Sequence, residues 1–226
     1  MKITYHGHSC FSVSHENHSV IIDPFLSGNP LADIKAQDVK VEAILLTHGH
    51  GDHVGDTEAI AKANNATIIA PFELAGHFGN KGYQIHPMAH GGAHDFEFGR
   101  VKLTIAFHGS GLDTPNGVEN AGNPCGILLT MGDKTFYHAG DTALFSDMQL
   151  MGRHSVDATA LPIGDNFTMG PEDAVQAAEW VNAGLTIPMH YNTFDLIKQD
   201  AHAFVEELDR HNRKGKVMSP GDSITL

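Results

Sequence analysis

The feature that most constrains this chain is the run Thr47-His48-Gly49-His50-Gly51-Asp52-His53, which follows the apolar stretch from Ala43 without a break. Ala43 to Thr47 has the length and composition of a buried strand, and Asp56 to Ala63 has the pattern of a helix. The polar side chains between them lie where a strand ends and a helix begins, the place where open α/β sheets carry functional loops. Gly49 and Gly51 let the backbone turn tightly and keep bulk away. Residues two apart in an extended loop can face the same way, so His48 and His50 can chelate one cation. Asp52 and His53, continuing into the helix, can then point at a neighbouring one. Imidazole nitrogen suits Zn²⁺, and the carboxylate widens the choice to Mn²⁺ or Fe²⁺.

Composition narrows what such a site can serve. Lys plus Arg total 14 against 27 Asp plus Glu, a formal charge of −13. That balance argues against a protein that grips nucleic acid through many phosphate contacts. No stretch approaches the roughly 18 unbroken apolar residues that span a bilayer. Polar residues at Thr4, His6, His8 and Ser9 interrupt the start, so no secretory signal is expected. Cys10 and Cys125 form no metal-type pair and are expected to be packed, reduced thiols of a cytoplasmic protein. The chain holds 17 histidines, and only their spacing can separate ligands from the rest.

Short apolar runs bounded by Gly, Pro and Asp recur along the whole length. Strands are predicted over Lys2 to Tyr5, Cys10 to Val13, Ser19 to Ile22 and Thr67 to Ala70, with a short helix over Phe72 to Phe78. Phe96 to Phe98 and Val101 to Phe107 suggest a hairpin turning at Gly99-Arg100, and Gly126 to Met131 with Lys134 to His138 a second one across Gly132-Asp133. Val156 to Leu161 and Leu185 to Met189 complete the later strands, with Lys216 to Met218 closing the pattern. Helices are expected over Pro171 to Val181, with Thr168 as a cap, and over Asp200 to Arg210. The Gly-, Asn- and Pro-rich stretch Gly109 to Pro124 divides the chain into two similar halves, roughly 1–115 and 116–226, of a single domain.

His48, His50, Asp52 and His53 resemble the signature of the metallo-β-lactamase superfamily, and three later positions, each at the end of a strand, match its remaining ligands in order: His108 in Ala106-Phe107-His108-Gly109-Ser110, Asp141 in His138-Ala139-Gly140-Asp141-Thr142, and His190 in Ile187-Pro188-Met189-His190-Tyr191. The start Tyr5-His6-Gly7-His8-Ser9-Cys10-Phe11 and the run Ile22-Asp23-Pro24-Phe25 are similar to its ascorbate-phosphate-lactonase-like branch. The segments Leu161 to Ala174 and Pro188-Met189-His190-Tyr191-Asn192-Thr193 resemble a compact bacterial and archaeal family of that branch, known as metal-dependent hydrolases.

The resemblance implies a four-layer αββα sandwich and two divalent ions, with zinc expected and Mn or Fe as alternatives. His48, His50 and His108 would hold one ion; Asp52, His53 and His190 would hold the other; Asp141 would bridge them. His90 is the alternative third ligand to His108. Asp52 would both ligate and position the nucleophile, a metal-bridging hydroxide acting on an ester, lactone or phosphodiester of a small molecule. A nuclease and a single-iron dioxygenase are the alternative activities, and a homo-oligomer is implied by resemblance alone. Asp23 is either the acceptor that orients a ligating imidazole through its second nitrogen or a turn carboxylate. His8 and Asn192 are grouped with it as residues that touch ligands or substrate.

Overall fold

The computed structural model describes residues 1–226. Strands β1 (Lys2–Tyr5), β2 (Phe11–His15), β3 (His18–Ile22), β4 (Ala43–Leu45), β5 (Thr67–Pro71) and β6 (Ile85–Met88) come first. Then follow β7 (Ala93–Phe96), β8 (Gly99–Ile105), a small hairpin of β9 (Gly111–Thr114) and β10 (Gly117–Asn120), β11 (Cys125–Met131), β12 (Lys134–His138), β13 (Ala158–Pro162), β14 (Thr186–Met189) and β15 (Ser223–Thr225). The helices are α1 (Gly51–Val54), α2 (Thr57–Asn64), α3 (Phe72–Asn80), α4 (Pro171–Val181) and α5 (Ala201–Arg210).

Two sheets result. The first has seven strands in the order β15-β1-β2-β3-β4-β5-β6, and the second six, β14-β13-β12-β11-β8-β7. Side chains alternate across each strand. Val20 and Ile22 enter the core between the sheets while Ile21 faces out, and Ile127 and Leu129 enter it while Leu128 faces out. The outer face of the first sheet is closed by α2 and α3 through Ile60, Ala61, Leu74 and Phe78. That of the second is closed by α4 and α5 through Ala174, Ala178, Val181 and Phe204. This is the expected αββα sandwich.

The differences from sequence have local causes. The chain passes from the first sheet to the second between Met88 and Ala93, not near residue 115. The stretch after Gly109 is a hairpin turning at Pro115-Asn116, with Thr114 paired to Gly117. Gly99 is a strand residue paired with Phe96, so the turn falls at Glu97-Phe98. At φ 145° and pressed against the carbonyl of Thr130, position 99 tolerates only glycine. Strand β6 carries Pro87 and lies at the sheet edge, where a missing N–H costs no ladder bond. Beyond α5, Gly215 makes only an isolated bridge to Thr186, and the closing strand is β15, antiparallel to β1. Helix α4 starts with Pro171 at its first turn, but Gly170 is its cap residue and the Thr168 hydroxyl donates to the Met169 carbonyl instead. In α5 the Asp200 carboxylate accepts from the N–H groups of His202 and Ala203, both at 3.0 Å.

Candidate metal centre

Strand ends of both sheets meet at one edge of the sandwich. The loop after β4 supplies His48 and His50, and α1 supplies Asp52 and His53. From the second sheet, His108 follows β8, Asp141 follows β12 and His190 follows β14. The β1–β2 turn adds His8. The ligand atoms fall into three overlapping groups, each within 4.8 Å internally: His48-His50-His108, His48-His53-Asp141, and His8-Asp52-His53-His190.

Asp141 is the centre of this arrangement. Its Oδ2 lies 3.0 Å from His190 Nε2, 3.3 Å from His53 Nε2, 3.5 Å from His108 Nε2 and 3.9 Å from His48 Nε2. The nitrogens themselves crowd together, with His50 Nδ1 2.9 Å from His48 Nε2 and 3.2 Å from His108 Nε2. His53 Nε2 and Asp141 Oδ1 are buried without a hydrogen-bond partner. Buried polar atoms are rarely left so. Convergent imidazole nitrogens and an orphaned carboxylate oxygen are what a cation satisfies, so the residues fit divalent metal.

The orientation of two imidazoles traces to one buried carboxylate. Asp23, fully buried at φ 47°, accepts from the Thr47 N–H (2.9 Å), the Thr47 hydroxyl (2.7 Å) and His53 Nδ1 (2.8 Å). With its proton committed to Asp23, the Thr47 hydroxyl is an acceptor for His48 Nδ1 at 2.9 Å. The chain of bonds therefore assigns N–H to Nδ1 in the neutral forms of both His48 and His53, so that Nε2, on the Asp141 side, is the nitrogen each can offer a metal.

His8 does similar work on the other side. Its Nδ1 meets the Thr193 hydroxyl at 2.8 Å and its Nε2 meets Asp52 Oδ2 at 3.1 Å. Its carbonyl accepts from the His190 N–H at 2.9 Å, and its ring lies against that of His190 at 4.1 Å. Burial, with His190 adding to it, depresses the His8 imidazolium to about 4. A neutral His8 that accepts from Thr193 donates Nε2–H to Asp52, so it orients that carboxylate and has no lone pair left for a metal.

The same fields set the other charges. Burial keeps His48 well below the usual imidazole range, and it lowers His108 too. Burial also opposes a charged His53, but Asp141 and Asp23 outweigh it and raise this group well above its ordinary value. Burial opposes ionised Asp141 and Asp52; His190 and His53 hold Asp141 low, while the hydrogen bond from His8 and the charge of His53 hold Asp52 low. Both carboxylates stay anionic.

His90 is elsewhere, its Nε2 meeting the Pro124 carbonyl at 2.7 Å, and His108 is the one that stands in the cluster. Because the Pro124 carbonyl can only accept, His90 Nε2 is the donor. Asn192 also departs from expectation: its side-chain oxygen accepts the Gln199 N–H at 2.9 Å and builds the 192–199 loop rather than reaching the cluster. Thr193, one residue on, makes the contact instead. Thr47, Thr193 and Ser110, whose hydroxyl accepts from the Gly49 N–H at 3.1 Å, stand in the quoted motifs, but motif reading gives them no role. Nothing but adjacency to the histidine motifs distinguishes them in sequence.

An αββα sandwich with this His/Asp cluster at its edge defines the metallo-β-lactamase class of protein. Residues 18–191 match the family described as the Beta-lactamase superfamily domain. A UPF0173 metal-dependent hydrolase of Bacillus cereus (strain B4264) is 59% identical over 229 residues, covering 100% of both chains. Igni18, a novel metallo hydrolase from the hyperthermophilic archaeon Ignicoccus hospitalis, superposes with a TM-score of 0.91 at 32% identity, covering 100% of this chain and 97% of its own. An isothiocyanate hydrolase from Delia radicum gut bacteria shares the fold at TM-score 0.78 and 20% identity, covering 100% and 99%. The chain belongs to the beta-lactamase superfamily and, within it, to the UPF0173 metal-dependent hydrolases.

Proposed function

We propose that this metal-dependent hydrolase uses two divalent ions, zinc by preference, to cleave an ester or lactone bond in a small molecule. The carrying observation is Asp141 Oδ2, within 3.0 to 3.9 Å of four imidazole nitrogens that belong to two ligand groups. His48, His50 and His108 would hold one ion and Asp52, His53 and His190 the other, with Asp141 between them. When bound, such ions acidify a water toward neutrality and polarise the oxygen of the scissile bond.

The protein's own residues position that chemistry. Asp52 is 28% exposed in a cluster whose histidines His48, His53 and His190 are at most 2% exposed, so it meets whatever enters. Held below the usual carboxylate range, it is a poor proton store; its role is to ligate and to orient the attacking water. A cleft of about 480 Å³ opens beside His108, under Val118, Glu119, Asn120 and Asn123 of the hairpin loop. No lysine or arginine lines it. That favours an uncharged ester or lactone over a phosphodiester, and with the −13 charge it weighs against a nuclease. The two unpaired, buried thiols support a reducing, cytoplasmic setting.

The test is elemental analysis of protein purified without added metal, then a panel of esters, lactones, phosphodiesters and model RNA on the same sample. Two ions per chain and metal-restored ester or lactone cleavage, abolished in Asp141→Asn, are expected. One iron per chain with oxygen uptake, or activity indifferent to Asp141→Asn, overturns the reading.

A further inference from the structure

The outer face of the second sheet is not evenly covered. Helices α4 and α5 pack over the β12–β13 side, in a cluster that includes no residue of β8. Between β8 and the 3₁₀ segment Ser146–His154 lies a hollow of about 380 Å³, walled by Ile105, Phe145, Leu150 and Met151 and flanked by Lys102 and Arg153. Its volume is in the range of small-molecule sites, whose walls are apolar with a few placed polar groups.

Two observations point to a ligand. Ile105 and Leu150 remain 46% and 42% exposed, and Phe107, packed at 5.1 Å against Phe145, is 59% exposed. A contiguous apolar surface of this kind marks a place where something binds. The second is charge. Acidic groups outnumber basic ones by 27 to 14, and Lys81, Arg100, Lys134, Lys198 and Arg210 each pair with a carboxylate. Lys102 and Arg153 are among the nine basic residues without a carboxylate partner, and they are the two that line this hollow; Lys102 Nζ donates to the Gly91 carbonyl at 2.7 Å. Lys102 is also close enough to His154 to lower that imidazole, adding to its burial, so positive groups gather on this rim. Asp147 is the one carboxylate on the wall, and it ion-pairs with neither cation.

We propose that this hollow binds a small amphipathic anion, an apolar chain or ring ending in one carboxylate, with the apolar part on Ile105, Phe145 and Leu150 and the carboxylate at Lys102 and Arg153. The site is separate from the metal cluster and does not depend on the reaction proposed above. It touches that cluster through one loop: Phe145 is four residues beyond Asp141, and the Thr142 hydroxyl accepts from the Phe107 N–H at 3.0 Å. A molecule seated on Phe145 thus leans on the segment that carries the bridging carboxylate.

The experiment is calorimetric titration of the metal-loaded full chain with sodium octanoate, octan-1-ol, octylammonium chloride and sodium acetate. Octanoate is expected to bind at least tenfold more tightly than the other three. Lys102→Ala and Arg153→Ala should each weaken it about three- to tenfold, and Leu150→Glu, at an exposed rim position, should abolish it. Thermal unfolding of each variant checks that it is folded, and amide chemical shifts in the wild type should move at residues 102–107 and 145–154. Equal binding of octanol, acetate binding as well as octanoate, or octanoate binding indifferent to all three variants would overturn the proposal. The acetate outcome would mean carboxylate capture by the metals. No binding at 10 mM would do so as well.

Discussion

Asp23→Asn isolates the contribution of one buried group to the metal centre. The carboxylate has no proton and accepts three bonds; the amide that replaces it has one acceptor oxygen and one NH₂. If the oxygen faces the Thr47 N–H, the NH₂ meets the Thr47 hydroxyl and His53. The hydroxyl can rotate and accept, but His53 can remain bonded only by moving its proton from Nδ1 to Nε2. That places N–H where a lone pair should face the cluster. In the other orientation, the NH₂ opposes the Thr47 N–H and leaves it unsatisfied in a fully buried site. Either outcome loses a charge-assisted bond, costing about 1.5–3 kcal/mol. For a 226-residue chain this lowers Tm by roughly 3–12 °C, at about 2–4 °C per kcal/mol. Outer partners of ligating histidines are also worth about 10- to 100-fold in metal affinity. The assay is zinc competition against a chromophoric chelator, alongside urea unfolding of metal-stripped protein. Asp23→Asn with zinc affinity within twofold of wild type and an unchanged urea midpoint would refute the tautomer argument.

Other expectations follow from the same geometry. His8→Ala removes the donor to Asp52 and should weaken the ion that Asp52 would hold about tenfold or more while sparing the other proposed ion, read as a split in the chelator titration; loss of both together would contradict the assigned role. In metal-stripped protein, His53 is raised above its ordinary 6.5, so its stabilising contribution is present below about pH 6.5 and disappears as pH climbs through the raised folded value. Zinc binding near neutrality should correspondingly release a proton, seen as a calorimetric enthalpy that depends on buffer ionisation; an enthalpy independent of buffer would show that His53 is already neutral. Gly140→Ala places a Cβ 2.5 Å from the Cys125 carbonyl and 3.1 Å from Thr47 Cβ at φ 65°, and should cost about 1–3 kcal/mol in urea unfolding. A midpoint unmoved by that change would mean the turn is looser than described.

Much of the centre was legible because its ligands are punctuation. His48 to His53 interrupt a buried strand, and His108, Asp141 and His190 each close one. Sequence favoured His108 over His90 because His108 ends a predicted strand and is followed by small residues, although both follow apolar residues and precede glycine. The choice is made by β8, which carries position 108 to the cluster edge while position 90 remains in the crossover between sheets. Asp23 had two equal readings, and only the fold brings it beside Thr47 and His53, 24 and 30 positions away. Asn192 has a local role that its sequence does not announce. Its type and neighbourhood suggested a site contact, yet a polar residue at φ 59° in a tight loop spends its amide on the local backbone. The hairpin β9–β10 was mistaken for a divider because Gly-, Asn- and Pro-rich composition marks a turn without saying what flanks it.

The origin of the ligands in two different sheets has a mechanical meaning. His48, His50, Asp52 and His53 hang from the first sheet; His108, Asp141 and His190 hang from the second. Each proposed ion would draw donors from both, and so would rivet the sandwich along one rim. Chelation should therefore let the layers slide first at the rim where substrate enters. Amide exchange would report this as early loss of protection in the loops after β4, β12 and β14, with the inner strands still closed.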